Sequence, residues 1–458
     1  MMRTIVRILA LALMAEVAAP AIARDPPTLH QALGAPGNLK ISGSTRARFE
    51  ALDGQARPEF DSASELVSLR TTLFVEYDLN PIRIGGEIRD ARVYDSGPGT
   101  PVTTSEVNTL EPVQAYVAAD LGDVFGKGST TSLQAGRMIM SLGSSRLVTS
   151  EEFRNTANGY TGLRFDLRAK TGAAATAFWV MPQTRLPADP PGLRSNRVEL
   201  DRESIDLVLW GAFVSTPKLI AGSKIDLGYF RLAENDGRTL PTLDRNLHTF
   251  NFRLYRDPAP GRLDWDAEGA IQFGTISASL AADAAKRRVA AGFYHFSVGR
   301  SFAGPWAVRL SIEYDYASGT RSTGSFGRFD TLFGGRRVDF SPSGIFNEIN
   351  RANISSPGVR LEMKPTKRWD AMVDVRALFV PEVTDAFATT GVRDPLGQSG
   401  NYAGEQFDIR ARYWLIPKVL RGEVDLTYLR KGPFLRQAPN AQRNGDTRFA
   451  AVSLIAYF

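Results

Sequence analysis

The sequence contains no cysteine, only three histidines and only ten lysines. Without cysteine, neither a disulfide framework nor a thiolate-bound metal can form. The histidines (His30, His248 and His295) leave little material for a metal centre, and no ligand spacing predicts a bound Ca²⁺ or another cofactor. Because 45 of the 55 basic residues are arginine, the positive charge sits on rigid guanidinium groups suited to carboxylates and phosphates, although codon bias is an alternative explanation of the excess.

Beyond its N-terminus the sequence also lacks any apolar run long enough for a membrane-spanning helix. At the N-terminus, Arg3 and Arg7 precede an apolar run over residues 8–14, and Ala21-Ile22-Ala23 provides small residues for a cleavage site. This order predicts a secretory signal peptide over residues 1–23, with a buried helix as the alternative. An exported chain without disulfides suits the bacterial cell envelope.

Residues 39–51 alternate in polarity with a period of two, which is the period of a β-strand. One face carries Leu39, Ile41, Gly43, Thr45, Ala47, Phe49 and Ala51. The opposite face carries Lys40, Ser42, Ser44, Arg46, Arg48 and Glu50. Eighteen segments of this kind follow one another, and no helical periodicity competes with them. Together they predict an all-β fold in which residues 24–458 form a single transmembrane antiparallel β-barrel of about 18 strands.

The last segment, residues 447–458, has an apolar face that ends on Phe458. In a soluble sheet such a strand would be an exposed, aggregation-prone edge, whereas in a closed barrel it is paired on both sides. We therefore expect it to close the barrel against residues 39–51. A terminal phenylalanine is also the ending that the barrel-assembly machinery recognises, which makes that machinery a predicted partner alongside outer-membrane lipid.

The connections between segments alternate in length along most of the chain. Short ones such as Asn80-Pro81 and Lys170-Thr171 separate long polar stretches. Outer-membrane barrels have this asymmetry, with short periplasmic turns and long extracellular loops. On length alone, residues 93–111 and 317–356 are the best candidates for loops that fold into the lumen.

The polar faces of the predicted strands are rich in charge. We predict arginines lining a solute conduit at Arg46, Arg48, Arg70, Arg83, Arg89, Arg137, Arg164, Arg168, Arg253, Arg309, Arg360, Arg376, Arg410 and Arg412. Carboxylate partners are predicted at Glu50, Glu76, Glu87, Asp166, Asp264, Asp266, Glu268, Glu313, Glu362, Asp374 and Asp408. Such a lining can be a salt-bridge lattice that braces a wide lumen, or a conduit whose arginines attract anions, and the two roles are compatible.

Three blocks of residues form a pattern along the chain. The first is Gly136-Arg137, Leu142-Gly143, Arg146-Leu147 and Asn155, running into Phe165-Asp166. The second is Leu263-Asp264-Trp265-Asp266-Ala267-Glu268 with Gln272-Phe273-Gly274. The third is Tyr314-Asp315-Tyr316-Ala317-Ser318-Gly319, then Phe329-Asp330-Thr331-Leu332-Phe333 and Arg351-Ala352-Asn353-Ile354. The blocks span most of the mature chain, and together they resemble the alginate-export family of outer-membrane porins.

The resemblance implies an 18-stranded barrel in the bacterial outer membrane, passing an acidic polysaccharide or oligosaccharide by diffusion through an arginine-lined lumen. At Met138, Phe153 and Thr320 the chain departs from residues common in the family, so the solute need not be alginate.

Two other functions compete with this one. A general anion-preferring porin for small acidic nutrients would need the same arginines. A barrel phospholipase is suggested by His295 and Ser297 on one strand face, but it needs a third group to orient the imidazole, and no asparagine follows on the next strand. His295 is otherwise expected to be an ordinary wall residue near the membrane interface. Nucleic-acid binding is excluded because the arginines alternate inward instead of forming one outer patch.

Overall fold

The computed structural model describes residues 27–150, 153–217, 219, 222–236, 241–340 and 342–458. The predicted signal peptide, residues 1–23, lies outside the described residues. Within them, the chain forms one 18-stranded sheet in which every neighbouring pair is antiparallel and β1 pairs with both β2 and β18. The prediction of a closed all-β barrel is confirmed.

The strands follow the chain order around the barrel. They are β1 Leu39–Asp53, β2 Ala63–Asp78, β3 Ile82–Tyr94, β4 Asn108–Gly122, β5 Thr130–Ile139, β6 Gly159–Arg168, β7 Ala174–Pro182, β8 Leu207–Ser215, β9 Lys224–Glu234, β10 Asn246–Arg256, β11 Leu263–Ser277, β12 Lys286–Ser301, β13 Arg309–Ala317, β14 Ile354–Met363, β15 Trp369–Phe379, β16 Tyr402–Ile416, β17 Leu420–Lys431 and β18 Thr447–Tyr457. Among the described residues, three one-turn helices lie outside the sheet, namely α1 Leu29–Ala32, α2 Pro190–Arg194 and α3 Pro433–Gln437.

The barrel closes where β1 meets β18. Ser44 lies opposite Tyr457 and Asp53 opposite Arg448, so the register holds over ten residues. Beyond the ladder, Gly43 N donates to Phe458 O at 2.9 Å and Phe458 N donates to Gly43 O at 3.1 Å. A side chain at position 43 would collide with the Phe458 ring, so glycine is required there. The seam predicted between the first and last segments is present.

The outward face of the sheet is apolar. On β2 and β3 the exposed side chains include Leu69, Leu73, Ile84 and Ile88, as the two-residue period predicts for a lipid-facing surface. Among the described residues no helix has the length and apolar character needed to cross a membrane.

Long and short connections alternate around the whole barrel. The long ones leave odd-numbered strands and include residues 140–158, 183–206 and 318–353, whereas the short ones, such as residues 79–81, leave even-numbered strands. Loop 318–353 folds into the barrel, as expected from its length. Loop 140–158 also folds into the barrel, which its length alone did not predict. Loop 95–107 packs against loop 140–158 through a backbone hydrogen bond to Ser105 O.

An apolar core fills the barrel near the ends of the strands that carry the long loops. Strands contribute Met138, Tyr160, Phe230 and Phe449, all at most 3% exposed, and loops contribute residues such as Phe340 and Phe346. Because interiors of this kind are close-packed, the two inward loops form part of an ordered partition that narrows the lumen.

Candidate functional site

A cavity that we call the inner chamber has a volume of about 650 Å³ and lies between loop 140–158 and the strands around the seam. Its charged lining is unbalanced. Seven arginines line it: Arg46, Arg48, Arg70, Arg89, Arg337, Arg412 and Arg421. Only Glu87 and Glu423 oppose them among the lining residues that the structure describes, so this described lining carries a formal charge of +5.

Arginines of β1 and β2 hold the tip of loop 140–158 against the barrel wall. Arg46 Nη1 and Arg48 Nη1 donate to Phe153 O at 2.9 and 2.8 Å. Arg46 Nη2 and Arg70 Nη1 donate to Arg154 O, both at 3.1 Å. Backbone carbonyls accept these hydrogen bonds, so the loop is anchored to β1 and β2 through its main chain.

The ring of Phe153 lies between two guanidinium groups. Arg48 Cζ is 3.7 Å from the ring centroid and Arg337 Cζ, from loop 318–353, is 3.9 Å away. Arg337 Nη2 also donates to Glu423 at 2.6 Å and Asp425 at 3.0 Å on β17. A stacked and desolvated cation–π pair is worth about 2 kcal/mol. This stack fastens loop 140–158 to β1 and to loop 318–353.

Replacing Phe153 with leucine should loosen that fastening. Leucine keeps apolar volume but has no aromatic face, so we expect loop docking to weaken by about 2–3 kcal/mol. Single-channel recordings should then show transitions to a wider state at least tenfold more often. Phe302→Leu is the matched control, because Arg300 Cζ lies 5.9 Å from that exposed ring. An equal response of both variants would show that the stack does not fasten the loop.

The opposite wall carries an ion network centred on Asp339 of loop 318–353. Arg146 of loop 140–158 donates to Asp339 at 2.8 and 3.0 Å, to Glu268 at 2.5 Å and to Asp266 at 3.2 Å. Arg351 Nε donates to Asp339 at 2.9 Å. Burial alone would raise the pKa of Asp339, but Arg146 and Arg351 hold it well below its ordinary value. Burial alone would lower the pKa of Arg146, but Asp339 and Glu268 raise it well above its ordinary value.

A second part of the network braces β13, β14 and β15. Arg376, only 1% exposed, donates to Asp374 at 2.9 Å, to Asp315 at 2.6 Å and to Glu313. Arg360 donates to Asp374 at 2.9 Å. These arginines have their charge matched by carboxylates, so they serve the salt-bridge lattice rather than attraction of a solute.

His295 belongs to this network and is 4% exposed, which corrects its expected place near the membrane interface. Its Nδ1 lies 2.8 Å from Asp315 and 3.6 Å from Asp339, and these three residues have the spacing of a metal site. Both carboxylates already accept from guanidinium groups, which supply the charge a cation would bring. Ser297 makes no hydrogen bond to His295 in the described part of the chain, so the arrangement needed for a phospholipase is not assembled.

The predicted conduit residues are distributed over several places. Five of the fourteen arginines line the inner chamber: Arg46, Arg48, Arg70, Arg89 and Arg412. A cavity of about 260 Å³ beside the ion network is lined by Arg253, Arg309, Arg360, Asp264, Asp266, Glu313 and Glu362, and Glu268 lies beside it. A cavity of about 500 Å³ near the short turns is lined by Arg164, Arg168 and Asp166.

The remaining predicted residues are mostly held in local pairs. Two arginines each bridge two carboxylates: Arg83 joins Glu76 and Asp120, and Arg137 joins Glu111 and Glu203. Glu87 accepts a hydrogen bond from Arg89, and Glu50 accepts one from Ile345 N. Asp408 accepts from Gln406 and Thr427, and Arg410 lies between Asp408 and Arg412 on the same face of β16. Sequence reasoning missed two arginines of the inner chamber. Arg421 shares a face of β17 with Glu423, which alternation could have found, whereas Arg337 lies in a loop, where alternation gives no signal.

Comparisons with known proteins agree with this architecture. Among solved structures, Pseudomonas aeruginosa OpdO is 11% identical with a TM-score of 0.57, covering 92% of this chain and 97% of that one. P. aeruginosa OpdK with vanillate is 12% identical with a TM-score of 0.54, covering 92% and 98%. Acinetobacter baumannii OccAB1 is 12% identical with a TM-score of 0.56, covering 91% and 96%. At such identity these structures bear on the fold alone.

No curated protein matches the sequence. The sequence profile described as alginate export, however, matches residues 38–449, which is nearly the whole barrel. The match includes the three blocks of residues on which the resemblance was based. With its closed 18-stranded barrel and its arginine-lined chamber, the chain belongs to the alginate-export family of bacterial outer-membrane porins.

Proposed function

We propose that this porin passes small acidic solutes, up to short acidic oligosaccharides, by diffusion through the inner chamber. The observation that carries the proposal is the excess of seven arginines over two glutamates around that chamber. A positively lined cavity with low-dielectric walls raises the local concentration of anions and repels cations. The arginines held by loop carbonyls stay in place while a solute passes.

The size of the chamber supports a small solute. Its volume of about 650 Å³ is within the range of about 300–1,000 Å³ typical of pockets that enclose small ligands. The partition formed by loops 140–158 and 318–353 narrows the barrel further. OpdK, one of the structural neighbours, was solved with vanillate, an aromatic carboxylate of this size class.

A longer acidic polysaccharide is the second candidate, because the family is described by alginate export. An extended chain of sugar rings could thread the conduit one ring at a time if the loops kept their positions. If the porin passes only small acidic nutrients, the flux of a saccharide should instead fall steeply as the saccharide becomes longer.

Planar-bilayer recording distinguishes these functions. In a KCl gradient, the reversal potential should show a preference for chloride over potassium. Added glucuronate and short oligouronates should block the chloride current transiently, whereas oligomers longer than the chamber should fail to permeate in a liposome-swelling assay. Equal permeation by long polymers would favour the polysaccharide function, and preference for potassium would contradict the proposal as a whole.

A further inference from the structure

Five side chains form a straight row across the membrane-facing side of β7 to β11. In the registers of neighbouring strands, each member lies directly opposite the next, in the order Trp179, Trp210, Arg231, His248 and Phe273. The three tryptophan and phenylalanine side chains are 41% to 44% exposed, whereas the two residues that flank Arg231 in the sequence are 1% exposed. Because side chains alternate between the faces of a strand, the row points out of the barrel. We call it the outward row.

The outward row lies near the strand ends that carry the long loops. β9 ends at Glu234, three residues after Arg231, and β10 begins at Asn246, two residues before His248. At about 3.3 Å per residue, the row is within about 10 Å of these ends. Outer-membrane barrels have their long loops outside the cell and a girdle of aromatic residues at each membrane interface. The outward row is therefore at the level of the headgroups of the outer leaflet.

Arg231 brings a permanent positive charge to this apolar surface. Its Nη1 donates to Leu232 O at 2.5 Å and to Leu247 O at 3.4 Å, and both carbonyls are one residue nearer the loops than the row. The guanidinium thus bends towards the headgroups, as long basic side chains do at a membrane interface. In the part of the chain that the structure describes, this guanidinium makes no ion pair, and its Nε and Nη2 groups donate no hydrogen bond.

Two other arginines on the outward face near the loops have carboxylate partners. Arg92 Nε on β3 is 2.8 Å from Asp90, and Arg430 Nη1 on β17 is 3.1 Å from Glu405. The residues that flank each of these arginines in the sequence are at most 3% exposed, which places both guanidinium groups outside the barrel. A charge at a lipid surface without such a partner is costly unless an opposite charge reaches it. The counter-charge of Arg231 is thus left to a molecule outside the barrel.

His248 and Arg288 extend the set of donors along the same surface. The ring of His248 stacks on Phe273, with centroids 5.2 Å apart and an interplanar angle of 8°, and its Nδ1 is 2.8 Å from Tyr229 Oη. With Nδ1 accepting from that hydroxyl, Nε2 carries the hydrogen of the neutral ring. Arg288 on β12 is exposed and makes no ion pair in the described residues. Neighbouring strands are about 4.8 Å apart, so Arg231 and Arg288, three strands apart, span about 14 Å.

We propose that the outward row and Arg288 bind the phosphate groups of a phosphorylated lipid of the outer leaflet. A phosphate matches the forked donors of a guanidinium, and a lipid with two phosphates can reach both arginines at once. The surface on the side of the row away from the loops is apolar, with Leu227, Phe250 and Ile271 between 47% and 64% exposed. Acyl chains cover such a surface, whereas a free phosphate ion gains nothing from it. The inference does not depend on which solute passes through the pore.

Native mass spectrometry of the folded barrel in detergent micelles, titrated with lipid A that carries two phosphates, tests the site. We expect one lipid A to bind saturably and a dephosphorylated lipid A of the same acyl composition to bind at least tenfold more weakly. Arg231→Gln with Arg288→Gln should weaken binding of lipid A at least tenfold, because charge-assisted hydrogen bonds are lost. Arg92→Gln with Arg430→Gln is the matched control, since both arginines face outward near the loops but have their own carboxylates, and it should change the affinity less than twofold.

Migration on a gel with and without heating verifies that each variant folds. If the double variant of Arg231 and Arg288 does not fold, His248→Phe replaces it, because phenylalanine keeps the stacked ring but removes both nitrogens, and it should weaken lipid A severalfold. Unchanged lipid A affinity in whichever of these variants folds would overturn the inference, and so would equal weakening by the control pair, which would indicate attraction by net charge alone. Equal affinity for the dephosphorylated lipid, or displacement of lipid A by inorganic phosphate, would overturn it as well.

Discussion

Replacing Asp339 with asparagine should turn a narrow pore, for which we propose a preference for anions, into a wide and poorly selective one. Asp339 joins loops 140–158 and 318–353, because Arg146 and Arg351 both donate to its carboxylate. An asparagine leaves two buried guanidinium groups without that charge, a loss of about 3–5 kcal/mol for a buried ion pair. Undocked loops would merge the inner chamber with the outer side of the barrel. We expect the single-channel conductance to rise severalfold.

The matched control is Asp189→Asn, whose pair with Arg197 is half-exposed and therefore worth at most about 1 kcal/mol.

Acidification gives an independent test on the unmodified protein. Because the pKa of Asp339 lies below its ordinary value of about 3.8, the pair stabilises docking at any pH above that value. Docking should therefore persist from neutral pH to about pH 4 and weaken only below it. Unchanged conductance of the Asp339 variant would show that the apolar core alone holds the loops.

Reversing the charge of Arg412 and Arg421 should nearly abolish the proposed preference for anions. Both residues line the inner chamber, and the double change to glutamate lowers the formal charge of its described lining from +5 to +1. For a solute about 8 Å away, each unit charge contributes about 0.5–2 kcal/mol, depending on the effective dielectric constant. We expect the permeability ratio of chloride to potassium to fall at least tenfold, as measured by the reversal potential in a KCl gradient.

Arg197→Glu with Arg202→Glu makes the same change of charge on exposed parts of loop 183–206 and should leave the ratio nearly unchanged. Raising the salt from about 0.1 to 1 M should shrink the effect of the chamber variant, because the Debye length falls from about 10 to 3 Å. If both double variants alter selectivity equally, the net charge of the protein and not the chamber would set the preference.

The barrel could be predicted from the sequence because its signals are local. The alternation of polar and apolar residues and the length of each connection can be read from the sequence without knowing which residues are in contact. Strand ends are harder to predict, because they depend on contacts between distant residues. β8 begins only at Leu207, because Arg137 holds the Glu203 carboxylate in the preceding loop at 2.8 Å. β14 begins at Ile354, because Ile354 pairs with Ala317.

The sequence could not predict which arginines are enclosed by carboxylates and which face the inner chamber, because this depends on contacts between distant residues. Arg376 and Arg412 both follow the same alternation, yet Arg376 is enclosed by Asp374, Asp315 and Glu313 whereas Arg412 faces the inner chamber. The inward fold of loop 140–158 depends likewise on Arg146 meeting Asp339, which is 193 residues away. The length of loop 318–353 identified it as a loop that folds inward, but length contains no information about an ion pair of this kind.

The seam between β1 and β18 sets an order of events for assembly. Arg48 Nε donates to Ser453 Oγ across 405 residues, so the contacts that complete the cylinder have the largest sequence separation in the sheet. Contacts of such separation form late, since a long chain must be ordered before they are gained. The inner chamber, which takes lining residues from both sides of the seam, can therefore come into existence only in the final step of folding.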